Sequence, residues 1–234
     1  MRARRHGWLL VGTVLLAYAA TACGAAESSG AAASPSASAS ASASPQEALS
    51  ARELKSLAIT GDEVPGNRGV SADERDPSTM DNTFPPVSDS SCQKMLDALG
   101  AGTASAVVDG IINWKDSIYA GGFGLASYDG TEAEDTFARV RTSLKTCADY
   151  TGVGYTGKVS AHVATEKIAR VGDESIAFRT TTPVNDHVRN EQLVLVRVGQ
   201  VTALFSMLDV DHSGHFPMDL IRKQVDRLAR AQHA

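Results

Sequence analysis

Apolar residues recur at intervals of three and four along several stretches of the chain, which is the spacing of a helix with one buried face. In one stretch, Cys92, Met95 and Leu99 fall on a single stripe. In another, Thr131 stands three residues before Glu134, the pattern of a capping box at a helix start. The predicted helices are Pro45–Leu57, the helix that carries the Cys92 stripe, Thr131–Asp149 and Phe216–Ala231.

Elsewhere, apolar and polar residues alternate with the period of a half-buried strand. Gly199-Gln200 separates the last two alternating runs and predicts a two-residue hairpin turn of the Gly-X kind. The polar segment 59–86 predicts an ordered loop or a weak edge region. The predicted strands are Ala104–Trp114, Ser117–Tyr128, Lys158–Ile168, Ser175–Thr182, Val188–Val198 and Val201–Asp209.

This order of elements predicts an α+β fold, in which an antiparallel meander sheet carries packed helices. Residues 47–234 are expected to form one globular α+β domain with a single core. Residues 23–46 are almost entirely Ala, Ser, Gly and Pro. Such a segment has nothing to bury, so it predicts a disordered tether with a root-mean-square reach of about 25 Å.

The N-terminus has the layout of an export signal. Three arginines precede an apolar stretch from Trp8 to Ala20, and small residues then lead to Cys23. This edge resembles the bacterial lipobox, in which the cysteine is acylated after residues 1–22 are removed. The resemblance implies an extracytoplasmic protein anchored in the cell membrane through Cys23. An ordinary cleaved signal with an incidental cysteine is the alternative.

Charge limits the partners of the protein. The formal net charge is -5, and removal of residues 1–22 takes away three arginines and no acid, so that the mature chain carries -8. Nucleic acid is therefore not an expected partner, because its phosphates require a basic surface. The same charge keeps the domain itself off an anionic membrane. No cofactor is expected.

The other two cysteines, Cys92 and Cys147, both lie on the apolar faces of predicted helices. Outside the cytosol, a disulfide between these helices is the expected state, and closing the loop would stabilise the fold by about 4 kcal/mol. A redox pair is the alternative, although the sequence has no C-x-x-C motif. A zinc site would need further ligands nearby.

One glycine-rich string matches a nucleotide-binding pattern. Gly152, Gly154 and Gly157 fit G-x-G-x-x-G, and Val159 stands where a Walker A loop has Ser or Thr. Both patterns need a strand before the loop and a helix after it. Here a helix is predicted before it and a strand after it, so the glycines are interpreted as a helix-to-strand connection.

A second string places Asp209, Asp211, His212 and His215 close together in the sequence. Asp209 and Asp211, with Ser213 and Gly214, resemble the start of an EF-hand loop, but Leu220 stands where a bidentate Glu is required. His212 and His215 add possible ligands for another metal. A strand end, a turn and a cap for the last helix are the expected structure. The alternative is an envelope hydrolase or metal-dependent enzyme that uses these four residues. Neither G-x-S-x-G nor H-E-x-x-H occurs, so the protein is not expected to be an enzyme.

From Ser91 onward, the order of features resembles the PknH-like extracellular sensor domain of actinobacterial receptor kinases and envelope lipoproteins. The residues that carry the resemblance are Cys92, the spaced set Phe137, Val140, Leu144 and Cys147, the run Val171–Arg179 and the run Val196–Gly199. The sensor domain of the kinase has a second disulfide, for which this sequence has no cysteines.

The resemblance implies a ligand-binding or sensing module with a sheet-lined cleft, whose partner is an envelope small molecule or an envelope protein. Asp173, Glu174 and Arg179 are the candidate ligand-binding residues. A turn and an ordinary exposed strand face are the alternative interpretation of the same three residues.

Lipidation is tested by Cys23→Ser. Without the acylated thiol, we expect the protein to move from the membrane fraction to the soluble fraction, or to accumulate with its signal uncleaved. Cell fractionation and the mass of the mature N-terminus measure this. Membrane association of the variant that still requires detergent for release would contradict the prediction.

Overall fold

The computed structural model describes residues 47–76, 84–154 and 157–232. They belong to one unit of the chain, Ala43–Ala234. The predicted signal peptide, the tether and Cys23 lie outside the described residues. Among the helices that are described, none is long and apolar enough to cross a membrane.

The helices and strands follow the predicted order, with one strand added at each edge of the sheet. The α-helices are α1 Ala51–Ser56, α2 Ser90–Leu99, α3 Glu132–Ser143 and α4 Met218–Gln232. The strands are β1 Asn67–Arg75, β2 Ala106–Trp114, β3 Gly121–Ser127, β4 Asp149–Gly154, β5 Gly157–Glu166, β6 Glu174–Val184, β7 His187–Val198 and β8 Val201–Val210.

The eight described strands form a single antiparallel sheet in the order β1-β2-β3-β8-β7-β6-β5-β4. Two meanders, β1–β3 and β4–β8, are joined where β3 pairs with β8, with Phe123 opposite Phe205. The turn Gly199-Gln200 links β7 to β8, as predicted, and Gly199 has a φ of 53°, which favours glycine. The α+β class and the antiparallel meander are confirmed.

Helices cover both faces of this sheet. α1 and α4 pack on one face, where β7 contributes Val194 and Val196. α2 and α3 pack on the opposite face, where β7 contributes Leu193 and Leu195. Because side chains alternate between the two faces of a strand, β7 is apolar on both sides wherever helices cover it. Below, the first is called the α1/α4 face and the second the α2/α3 face.

The Cys92–Cys147 disulfide is present, with the two Cα atoms 4.8 Å apart. Cys92 lies in the first turn of α2, whose N-terminal amides are capped by the Asp89 carboxylate. Cys147 follows the end of α3, and both cysteines are buried with Met95 and Val140 in the core beneath the two helices. The disulfide therefore fastens the N-terminal end of α2 to the chain that leaves α3.

The chain after α3 differs from the prediction. The helix ends at Ser143 rather than at Asp149, because the following backbone bonds to a neighbouring strand: the Val163 amide donates to the Ala148 carbonyl at 2.7 Å. Asp149–Gly154 is the edge strand β4, with Gly154 opposite Gly157. The glycine string thus belongs to a hairpin between two strands and not to a helix-to-strand connection.

The capping box predicted at Thr131 and Glu134 is wrong. Thr131 is the N-cap of α3, but its side chain makes no capping hydrogen bond. Its hydroxyl instead donates to the Asp135 carboxylate at 3.2 Å. A reciprocal capping box does occur at α1, where Ser50 and Glu53 bond to each other's backbone amides.

Within segment 59–86, the edge-region alternative is confirmed for part of the chain. β1 pairs with β2 at the edge of the sheet, with Val70 opposite the buried Ile112. A bulge at Arg68 interrupts this pairing, as is common at sheet edges. Residues 77–83 lie outside the described residues.

The disulfide is tested by reduction and by the double variant Cys92→Ser/Cys147→Ser. Losing the cross-link should lower the free energy of unfolding by about 4 kcal/mol, because the unfolded chain gains entropy. Urea unfolding of the exported protein, with and without reductant, measures the loss, and reductant should not affect the double variant. Two freely alkylated thiols in the native exported protein would contradict the prediction.

Candidate functional site

A small cavity lies between the C-terminal end of α2 and the α2/α3 face of the sheet. It encloses about 40 Å³. Ala98 and Leu99 of α2 form its roof, and Val107 of β2 with Ala126 of β3 forms its floor. Apart from a few polar groups, the lining is apolar.

Small residues on β3 keep the floor of this cavity low. Gly124 and Ala126 alternate along the strand and share the face beneath α2. A Cβ atom at Gly124 would lie 3.2 Å from the Asp109 Oδ1 atom, which is tighter than ordinary van der Waals contact. Larger residues at these two positions would fill the space under the helix.

Three hydroxyl groups line the cavity, and each comes from a different element. Tyr128 follows β3, Thr136 lies on α3 and Thr202 on β8, and all three residues are buried. The Tyr128 and Thr202 hydroxyls share one long hydrogen bond of 3.4 Å. Thr136 Oγ1 is buried and makes no short hydrogen bond among the described residues, and the Tyr128 hydroxyl is its weak hydrogen-bond partner. Burial raises the pKa of Tyr128 above its ordinary value of 10.0, and the hydrogen bonds with Thr202 and Thr136 offset part of this effect.

An ion pair closes the rim of the cavity. Arg75 of β1 donates from Nε to the Asp109 Oδ2 atom at 2.6 Å. Its Nη1 and Nη2 atoms each lie 3.3 Å from the carbonyl of Gly100, the C-cap residue of α2. The guanidinium therefore ties the C-terminal end of α2 to the edge of the sheet.

Arg179 lies in a separate cluster on the α1/α4 face. Its Nε donates to Glu166 Oε1 at 2.5 Å, and Gln192 Nε2 donates to Glu166 Oε2 at 2.7 Å. The Arg179 side chain is 9% exposed, so it is not on an open strand face. Burial alone raises the pKa of Glu166, but the hydrogen bonds from Gln192 and Arg179 and the charge of Arg179 outweigh this effect and lower it.

The Arg179 cluster holds the chain that leads into α4. Arg179 Nη2 donates to the Gly214 carbonyl at 3.1 Å, and the Phe216 amide donates to Gln192 Oε1 at 2.9 Å. His215 Nδ1 lies 2.8 Å from Gln192 Nε2. The contacts bind one segment of the protein to another, which is a structural role for Arg179.

Asp173 and Glu174 lie in another network, centred on Arg197. Arg197 contacts Asp173 at 3.2 Å and Glu174 at 2.8 Å. Asp173 also accepts from the Gly199 amide, and Glu174 pairs with Arg141 of α3 at 2.6 Å. The structure does not join these two residues to the Arg179 cluster, so the three candidate ligand-binding residues do not form one site.

The four residues of the enzyme alternative do not converge either. Asp211 pairs with His187 at 2.6 Å, and the hydrogen bonds from the Val188 amide and His187 lower the pKa of Asp211. His212 and Asp209 lie 3.9 Å apart, while His215 faces Gln192. Within residues 47–76, 84–154 and 157–232, no three His, Cys, Asp or Glu are grouped so that they could hold a metal ion.

A larger space, of about 560 Å³, runs between the outer sides of α2 and α3. It is a shallow groove open to solvent. Lys94, Asp135, Arg139 and Thr142 line it, and all four are exposed. Its geometry is that of an ordinary charged surface between two helices.

Comparison with family models and with curated proteins finds no match. Among solved structures, the extracellular domain of PknH from Mycobacterium tuberculosis aligns with a TM-score of 0.58 at 14% identity, over 80% of this chain and 98% of that one. The chain has the fold of the PknH extracellular domain. An uncharacterised protein of Mycobacterium smegmatis, the Rv0999 ortholog, aligns over 79% of this chain and 95% of that one, at 11% identity and a TM-score of 0.39.

No pattern in the sequence predicts the hydroxyl-lined cavity. Tyr128, Thr136 and Thr202 are far apart in sequence, and none belongs to a known motif. The alternation of Gly122, Gly124 and Ala126 along a predicted strand was the available indication, since residues without bulk on one face of a strand mark a place where something else approaches.

The Arg179 cluster generates a prediction about stability. A lowered pKa of Glu166 means that the folded state favours its carboxylate form, so this contribution is present above the ordinary value of 4.5 and disappears as pH falls through the folded value. At neutral pH, Glu166→Gln should cost about 2 kcal/mol, because the buried Arg179 loses its charged partner. Urea unfolding between about pH 6 and pH 3 should show a weaker pH dependence in the variant.

Glu132→Gln is the matched control for this measurement. It removes the same charge from the Arg139 pair, whose atoms lie 3.3 Å apart with both side chains 47% exposed. We expect a change of about 0.5 kcal/mol or less, since solvent screens such a pair. Equal losses in the two variants would show that the Arg179 cluster does not stabilise the fold beyond an ordinary surface pair.

Proposed function

We propose that the protein is a lipid-anchored, extracytoplasmic module of the cell envelope that binds or senses a ligand. The proposal is carried by the fold, which is that of an extracellular domain over 98% of that domain's length. The export signal would direct the protein out of the cytoplasm, and acylated Cys23 would anchor it in the membrane. The Ala/Ser-rich tether would let the domain reach molecules some distance from the bilayer.

The proposed ligand site is the cavity beneath α2. It combines an apolar lining with three buried hydroxyls that converge from different elements. The Asp209–His215 segment offers no comparable convergence, which favours a binding module over an enzyme.

The two attachments of α2 suit a sensing role. The disulfide fixes the N-terminal end of the helix, and Arg75 holds its C-terminal end to the edge strand β1. A ligand beneath Ala98 and Leu99 would act on the end that is held by noncovalent contacts. Binding there would favour one position of Arg75, and therefore of β1, over another. A ligand signals that it is bound by shifting such a conformational equilibrium.

The proposal is tested by a thermal-shift screen of the exported protein against fractionated small molecules from the cell envelope. We expect at least one fraction to raise Tm in a concentration-dependent way, because a ligand that binds the native state stabilises it. The variant Ala126→Val, which adds two methyl groups to the cavity floor, should abolish the rise.

The control is Ala138→Val, which makes the same change on the outer side of α3, in the open groove. It should keep the wild-type response. A rise in Tm that survives in Ala126→Val would place the ligand elsewhere, and a screen in which no fraction raises Tm would count against a ligand-binding function.

A further inference from the structure

We infer that His215 is a proton-sensitive latch on the segment that leads into α4, and that a proton gained at Nδ1 releases this segment from Gln192. The segment, residues 211–217 between β8 and α4, is called the strap below. The inference goes beyond the proposed function and does not depend on the cavity beneath α2. It follows from the direction of the hydrogen bonds, which the chemistry of the partners decides.

Both ends of the strap are anchored. At its start, the Asp211 amide donates to the Val188 carbonyl at 2.8 Å, and Asp211 Oδ1 accepts from the Val188 amide at 2.8 Å. Near its end, the buried Phe216 ring packs against Trp114 and Phe205, with ring centroids 6.3 and 5.1 Å away. Release of the middle of the strap therefore does not require either end to leave the sheet.

The partners of Gln192 fix the direction in which its amide points. A backbone amide can only donate, so the atom that bonds to the Phe216 amide at 2.9 Å is the acceptor Oε1. A carboxylate can only accept, so the atom that bonds to Glu166 at 2.7 Å is the donor Nε2. The same Nε2 atom lies 2.8 Å from His215 Nδ1 and donates its second proton there. His215 Nδ1 is therefore unprotonated, and the ring carries its proton on Nε2.

The other described histidines have the opposite requirement. His162 and His187 each donate from Nδ1 to an aspartate carboxylate, at 2.9 and 2.6 Å, and His212 Nδ1 lies 3.1 Å from a backbone carbonyl. Because these oxygens only accept, the three rings carry a proton on Nδ1 and keep the bond when Nε2 gains a second proton. Among the histidines that the structure describes, His215 alone must lose its Nδ1 bond on protonation.

Charged groups from β5, β6 and β8 lie around the strap at this point. Glu166 of β5 is close enough to interact with the charge of a protonated His215. Arg179 of β6 donates to the carbonyl of Gly214, the preceding residue. Asp209 of β8 approaches the same residue, since a Cβ atom at Gly214 would lie 3.3 Å from Asp209 Oδ2. The carboxylates attract an imidazolium and the guanidinium repels it, but none of these charges restores a bond in which Nδ1 must accept.

Falling pH acts in opposite directions on the two histidine contacts of the strap. Between about pH 7.5 and pH 5.5, histidine gains its second proton. Glu166 and Asp211 stay ionised there, because their ordinary pKa values of 4.5 and 3.8 are lowered further in the fold. Protonated His187 holds Asp211 by an ion pair, whereas protonated His215 leaves Gln192. The strap therefore loosens in its middle and stays fastened at its start.

The test is an NMR titration of the ¹⁵N-labelled exported protein between about pH 7.5 and pH 5.5. Ring ¹⁵N shifts report which nitrogen carries the proton, and at the upper pH we expect the Nε2–H form for His215 and the Nδ1–H form for His187. At the lower pH, the hydrogen-exchange protection factor of the Phe216 amide should fall roughly fivefold, the effect of one weakened hydrogen bond to Gln192. The protection factor corrects for the intrinsic effect of pH on exchange. The Asp211 amide, at the anchored start, should keep its protection.

Two variants separate His215 from other sources of pH dependence. His215→Asn offers an amide oxygen to Gln192 and does not titrate, so the fall in Phe216 protection should disappear. His212→Asn removes a titrating ring from the same strap and should keep the wild-type fall. The ring measurement on the wild type stands without either variant.

Four results would overturn the inference. They are an Nδ1–H form of His215 at the upper pH, an unchanged protection of Phe216 in the wild type, an equal fall in His215→Asn, and a fall that disappears in His212→Asn.

Discussion

The pairing of β3 with β8 is the contact on which the rest of the domain depends. It joins the meander β1–β3 to the meander β4–β8, which are otherwise separate in the strand order. Phe123 and Phe205 face each other across the junction, in the core that α1 and α4 cover. Gly110 makes this possible, because a Cβ atom there would lie 2.0 Å from the Phe123 ring. The cavity beneath α2 lies on the opposite side of the same junction, so the pairing of β3 with β8 also fixes the position of the cavity floor.

An element of this fold can be predicted from the sequence when its own residues determine it, and not when contacts with distant segments do. Helical stripes place Cys92 and Cys147 on buried faces, and together with the export signal they predict the disulfide. The edge strand β4 was missed because Gly152 and Gly154 weaken any strand pattern, and the segment is held by partners outside itself, including the Ser88 hydroxyl bonded to the Thr151 amide at 2.9 Å. The end of α3 was misplaced for the same reason.

The candidate site shows the same limit more strongly. Asp173, Glu174 and Arg179 stand close together in the sequence, yet Asp173 and Glu174 meet Arg197 while Arg179 pairs with Glu166. The hydroxyls of the cavity are far apart in the sequence but close in space, since Thr202 lies beside Tyr128 despite a separation of 74 residues. Proximity in sequence is informative for a motif on one loop, but side chains that converge from several strands and a helix are visible after the fold is known.

Each of the two polar clusters of the interior contains one buried atom without a short hydrogen bond among the described residues, Arg179 Nη1 in one and Thr136 Oγ1 in the other. Around Arg179, Glu166 accepts two hydrogen bonds and Gln192 both donates and accepts, so the cluster supports the chain entering α4. Around Thr136, the Tyr128 hydroxyl lies between those of Thr136 and Thr202, beside a space that small residues keep open. The two clusters are therefore distinguished by the open space beside the hydroxyls and not by a missing hydrogen bond.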